Sequence, residues 1–146
     1  MSGRALAGLI AIACVACASP VGPPLVVPLD RNEWGGYTLL VYDDSGLVTA
    51  ARSAQWQPGT ASDELIAFPE RQELEVGWTG GACSHRPTLK VTGDSSALRL
   101  TVGNPNDPQP LPFLPIACPA VGVPLRVALS LSEPVAQNAV GIEVVY

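Results

Sequence analysis

The sequence predicts an all-β fold, a two-layer antiparallel β-sandwich. Apolar and polar residues alternate with a period of two in several short runs, the pattern of strands with one buried face. Pro (15) and Gly (14) are heavily used in this 146-residue chain and punctuate those runs. No segment carries the 3.6-residue periodicity of an amphipathic helix. Many short strands joined by Gly- and Pro-rich turns are the signature of a sandwich or barrel.

Four runs carry the strongest signal. In 73–79, Leu74, Val76 and Trp78 alternate with Glu73, Glu75, Gly77 and Thr79. In 97–102, Leu98, Leu100 and Val102 alternate with Arg99 and Thr101. In 125–132, Leu125, Val127, Leu129 and Leu131 share one face, leaving Arg126, Ala128, Ser130 and Ser132 toward water. In 140–146, Val140, Ile142, Val144 and Tyr146 do the same. Leu89 and Val91 mark a shorter strand, which Gly93-Asp94-Ser95-Ser96 joins to 97–102 as a hairpin.

The first half is less regular. Tyr37–Tyr42 is rich in β-formers and stops at Asp43-Asp44-Ser45-Gly46, a turn sequence. Leu47–Ala54 is expected to return antiparallel to it. Glu64–Phe68 reads as a strand or a single helical turn ended by Pro69, and Leu25–Leu29 as an edge strand, where proline is tolerated. Leu74, Trp78, Leu89, Val91, Leu98, Leu100, Val127, Leu129, Ile142 and Val144 are the expected core. The architecture expected is immunoglobulin-like. Trp78 precedes Cys83, however, so the Cys…Trp…Cys order of true immunoglobulin domains is absent.

The N-terminus reads as an address. Arg4 is followed by an uncharged run from Ala5 to Ala16, the basic and apolar regions of a signal peptide. Twelve apolar residues fall short of the roughly 20 that span a bilayer. Val15-Ala16-Cys17 resembles the lipobox of bacterial lipoproteins, which implies a lipid on Cys17. Ala16-Cys17-Ala18 also suits ordinary cleavage before Ser19. The expected organisation is a signal peptide over 1–17, a Pro-rich tether over 18–36 and a sandwich over 37–146. Either cleavage leaves Cys83 and Cys118, a natural disulfide pair in an exported domain. That bridge would contribute roughly 4 kcal/mol by the chain-entropy account.

Charge excludes one class of partner. The net charge is −5 and no basic cluster occurs, so the footprint of a nucleic-acid binder is missing. Catalytic constellations are also missing. His85 is the only histidine, and there is no Gly-rich phosphate loop and no Gly-x-Ser-x-Gly. Asp43-Asp44, Asp63-Glu64 and the Asn104, Asn106, Asp107 cluster could imitate a carboxylate dyad or calcium ligands, but adjacent carboxylates on turns ordinarily face solvent. No enzyme activity, cofactor or metal is expected. Trp34 and Trp56 fall in irregular segments, where aromatic side chains either cap a sandwich or bind partners.

Trp78-Thr79-Gly80-Gly81-Ala82-Cys83 before one strand pair, and Cys118-Pro119-Ala120-Val121-Gly122-Val123-Pro124 before a long strand, resemble small secreted or lipid-anchored proteins common in GC-rich bacteria. The resemblance implies a β-rich, disulfide-containing envelope protein and transfers no catalytic residue. The expected function is non-enzymatic binding of an envelope protein or wall component. The expected contact surface lies in the proline-rich stretch 103–122, at Leu111, Pro112, Phe113, Leu114 and Ile116. Two alternatives are a protease inhibitor using that stretch and a carboxylate-dependent hydrolase.

Overall fold

The computed structural model describes residues 22–32, 35–55, 64–81, 86–103 and 122–145. They form nine strands in two sheets, with no α-helix among them. The strands are β1 (Leu25–Asn32), β2 (Gly35–Asp43), β3 (Val48–Ser53), β4 (Leu65–Phe68), β5 (Glu73–Gly81), β6 (Thr88–Asp94), β7 (Ala97–Gly103), β8 (Gly122–Leu131) and β9 (Val140–Val145). One sheet has the order β1-β2-β6-β7-β9, the other β3-β8-β5-β4.

A single apolar cluster lies between the two sheets. The five-stranded sheet contributes Tyr37, Leu39, Val41, Leu89, Val91, Leu98, Leu100 and Val102; the four-stranded sheet contributes Leu74, Val76, Trp78, Leu125, Val127 and Leu129. These are the inward positions that period two assigns, so alternation in the sequence becomes the core in the fold. Of the expected core, only Ile142 and Val144 are partly exposed, because β9 is a sheet edge. Full burial of a Leu or Val side chain contributes about 1.5–3 kcal/mol, which makes this cluster the main source of stability.

Several expectations need correction. Leu47–Ala54 does not return beside Tyr37–Tyr42: β3 crosses to the other sheet and pairs with β8. The sheets are mixed, not purely antiparallel: β2 pairs parallel with β6, and β7 with β9. Between each such pair the chain passes through the other sheet, so both partners start at the same end. The edge strand expected at Leu25–Leu29 is present and runs on to Asn32 beside β2, so the folded domain starts before residue 37 and takes in part of the stretch expected as a tether over 18–36. The face of β8 expected to meet water is covered at Arg126 and Ala128, which are 6% and 1% exposed. The ambiguous segment at 64–68 is a strand over Leu65–Phe68, and Pro69, expected to end it, opens a 3-10 turn over Pro69–Arg71.

Strand directions give the molecule two unlike ends. At one, the turn end, lie the connections 44–47, 69–72, 95–96 and 132–139, together with the start of β1. At the other, the loop end, lie Asn32 and Gly35, Ser53 and Leu65, Gly81 and Thr88, and Gly103 and Gly122, the strand residues that bound the remaining connections, together with the end of β9. The ten residues of β8 run between them, a height of about 33 Å.

Candidate interaction end

The loop end is built on strand termini brought together by register. Gly81, the last residue of β5, is paired with Gly122, the first of β8. On the facing sheet Thr88, Gly103 and Val145 stand abreast on β6, β7 and β9. The chain therefore leaves the five-stranded sheet at Gly103 and enters the four-stranded sheet at Gly122, both at this end. A side chain at either position would have to displace the end of a threonine: a Cβ on Gly122 would come within 2.5 Å of Thr79 Cγ2, and one on Gly103 within 2.6 Å of Thr88 Oγ1.

The sequence-predicted lipidation, disulfide and contact residues lie outside the described residues: Cys17, Cys83, Cys118, Leu111, Pro112, Phe113, Leu114 and Ile116; so do His85, Trp34, Trp56, Asp63, Asn104, Asn106 and Asp107. The topology nonetheless assigns their connections. Trp34, Trp56, Cys83, His85, Cys118 and 111–116 all fall on chain segments that begin and end at the loop end. Cys83 follows Gly81 by two residues and Cys118 precedes Gly122 by four, so both lie close in sequence to one cross-strand pair.

The acidic candidates within the described residues have structural employment. Asp43 accepts hydrogen bonds from the amides of Ser45, Gly46 and Val48 at 2.9–3.1 Å, an Asx turn that carries β2 into β3. Asp44 pairs with Lys90 at 3.0 Å. Asp94 repeats the device at the β6–β7 hairpin, accepting from the Ser96 hydroxyl and from the Ser96 and Ala97 amides. Those bonds, the Ser96 hydroxyl first, favour the ionised form and hold the Asp94 carboxyl below its usual value.

Sequence reasoning missed a charged row on the outer face of the four-stranded sheet. Arg126 on β8 stands opposite Gly77 on β5, and the Gly77 amide bonds the Glu64 carbonyl on the far side. With no side chain at Gly77, the arginine reaches across β5. Its Nη1 lies 3.4 Å from Glu64 and its Nη2 2.9 Å from Glu75. Arg52 and Glu73 continue the row at 2.9 Å. Only the isolated Gly77 within an alternating strand hinted at this, since a glycine there often marks close approach by another group.

The turn end carries a shallow depression. It has a volume of about 340 Å³ and is lined by Ala67, Phe68, Pro69, Glu70 and Arg71. The Arg71 guanidinium sits over the Phe68 ring at 5.2 Å. Among the described residues, no three His, Cys, Asp or Glu side chains form a group that could hold a metal ion. No protein-family model, curated protein or solved structure matches this chain.

Proposed function

We propose that this protein is an exported, lipid-anchored binding module of the bacterial cell envelope, attached through Cys17 and without catalytic activity of its own. The observation that carries the reading is the polarity of the sandwich. β1 enters the fold at the turn end, and the chain segments bearing Leu111, Pro112, Phe113, Leu114 and Ile116 attach at the opposite end. From Cys17 to Leu25 an extended proline-rich chain covers about 25 Å at 3.1 Å per residue. An anchored domain would then keep its turn end toward the lipid and offer the loop end to partners about 33 Å further out. The partner is an envelope protein or wall component.

A Cys83–Cys118 bridge and an immunoglobulin-like arrangement belong to the same proposal. The pairing of Gly81 with Gly122 supports the bridge, because it starts both cysteine-bearing segments from one point. A bridged segment is pre-organised, which reduces the ordering cost of binding. In favour of binding over hydrolysis, Asp43, Asp44 and Glu64 are engaged by turn amides or by cations.

The test has two arms. Intact mass of the tagged protein from native membranes should correspond to residues 17–146 plus diacylglycerol, gaining 2 Da on reduction. A soluble species beginning at Ser19 would overturn the anchor. Deleting 107–115 should abolish partner capture from envelope extracts while leaving the melting temperature almost unchanged. Unaltered capture would remove that stretch from the binding surface.

A further inference from the structure

Four strands bound the two sheets, β1 and β9 in one, β3 and β4 in the other. An edge strand exposes unpaired amides and carbonyls, and stable proteins shield them with proline, bulges, brevity or a covering segment. Three of these edges are shielded. β1 contains Pro28 and a register shift between Leu29 and Asn32. β3 shifts register between Val48 and Ala50 and packs beside β1. β4 has four residues, and the Gln137 side chain donates to its Leu65 carbonyl at 2.7 Å.

Among the described residues, none of these devices protects β9. Its six residues pair with β7 without interruption from Val140 to Val145 and include no proline and no lysine. Val140, Ile142 and Val144 remain partly exposed on the core-facing side, and Val145 is 48% exposed. The outer face of β9 offers Gly141, with open space where a Cβ would stand, and Glu143. Beside them on β7, Arg99 is level with Gly141 and Thr101 with Glu143. Arg99 and Glu143 are both exposed, and neither has an ion-pair partner among the described residues.

We infer that β9 is a self-association edge, pairing antiparallel with β9 of a second copy about a twofold axis at Ile142, so that two five-stranded sheets join into one of ten strands. This register sets Val140 opposite Val144 of the second copy and Ile142 opposite its equivalent, extending the core-facing apolar row across the axis. It sets Glu143 opposite Gly141 of the second copy, with Arg99 of that copy one strand beyond. Glutamate, glycine and arginine then lie on three adjacent strands, and the arginine can reach the carboxylate across the residue without a side chain. The protein already uses that arrangement internally, where Arg126 crosses Gly77 to Glu64. The twofold axis makes two such contacts. A register centred on Glu143 would instead oppose like charges, which is destabilising.

Sedimentation equilibrium of the full chain in density-matched detergent, from micromolar to hundred-micromolar, tests this inference. The result does not depend on the anchor, because the Cys17→Ala chain should behave identically without detergent. The wild type should be a reversible dimer. Glu143→Arg and Arg99→Glu should each raise the dissociation constant about tenfold or more, and the double exchange Arg99→Glu/Glu143→Arg should recover most of the loss. A monomer at all concentrations overturns the inference. So does a dimer indifferent to both single changes, or a double exchange no better than either.

Discussion

The two ends of the sandwich solve the problem of reversing the chain in different ways. At the turn end three of the four connections have four residues or fewer, and two are fixed by an aspartate. Asp43 and Asp94 each gather the amides of the following residues, and Gln72 takes the left-handed conformation at the end of the 3-10 turn. The Gln72 carbonyl accepts from the Leu131 amide at 2.7 Å and Leu47 from Ser132 at 2.9 Å, while Leu47, Leu131 and Val135 close the core below. At the loop end β5 and β7 finish and β8 starts in glycine, at Gly81, Gly103 and Gly122, and the connections run from two residues (33–34) to eighteen (104–121). The lesson is a division of labour. Local side-chain bonds close one end, and the other is left to segments whose sequence is free to serve recognition.

The largest expected effect bears on the loop end. If Cys83 and Cys118 are bridged, Cys83→Ser or Cys118→Ser should cost roughly 4 kcal/mol in urea unfolding, and reductant should then add nothing. An unchanged midpoint would mean that no covalent staple supports that end. Next comes the row between the ends. Arg126→Ala should cost about 2 kcal/mol, because Glu64 and Glu75, both partly exposed, lose their shared charged donor. Gly77→Val should destabilise by blocking the same crossing; a neutral result would show that the pairs contribute little.

At the turn end, Asp43→Ala should cost about 2 kcal/mol, since three amides lose a charged acceptor. The smallest effect is the pH response of Asp94. Its folded carboxyl titrates below the usual value, so its contribution is present above that value and fades as the pH falls through the folded pKa. Asp94→Asn should lower stability slightly at neutral pH and converge with the wild type once the pH falls below the folded pKa. A difference that does not shrink in acid would assign that acid sensitivity to other groups.

Much of this fold was legible in the residues. Alternation in 73–79, 97–102 and 125–132 identified Leu74, Trp78, Leu100 and Leu129 as core, because a strand with one buried face must repeat every two residues. The turn signals at Asp43-Asp44-Ser45-Gly46 and Gly93-Asp94-Ser95-Ser96 were equally legible, since an Asx turn is made within a few residues. The candidate contact surface at 111–116 was read from composition alone. The topology adds only which end its connection serves.

What the sequence determined by itself is the all-β class, the inward face of each strand and the sites of the tight turns. These depend on neighbours two to five residues apart. What only the tertiary structure decided is which strands are neighbours. The parallel β2–β6 and β7–β9 pairs, the burial of Arg126 across Gly77 and the unshielded edge at β9 all depend on partners far away in the chain. Period two says which way a side chain points, and the sheet order says what it meets there.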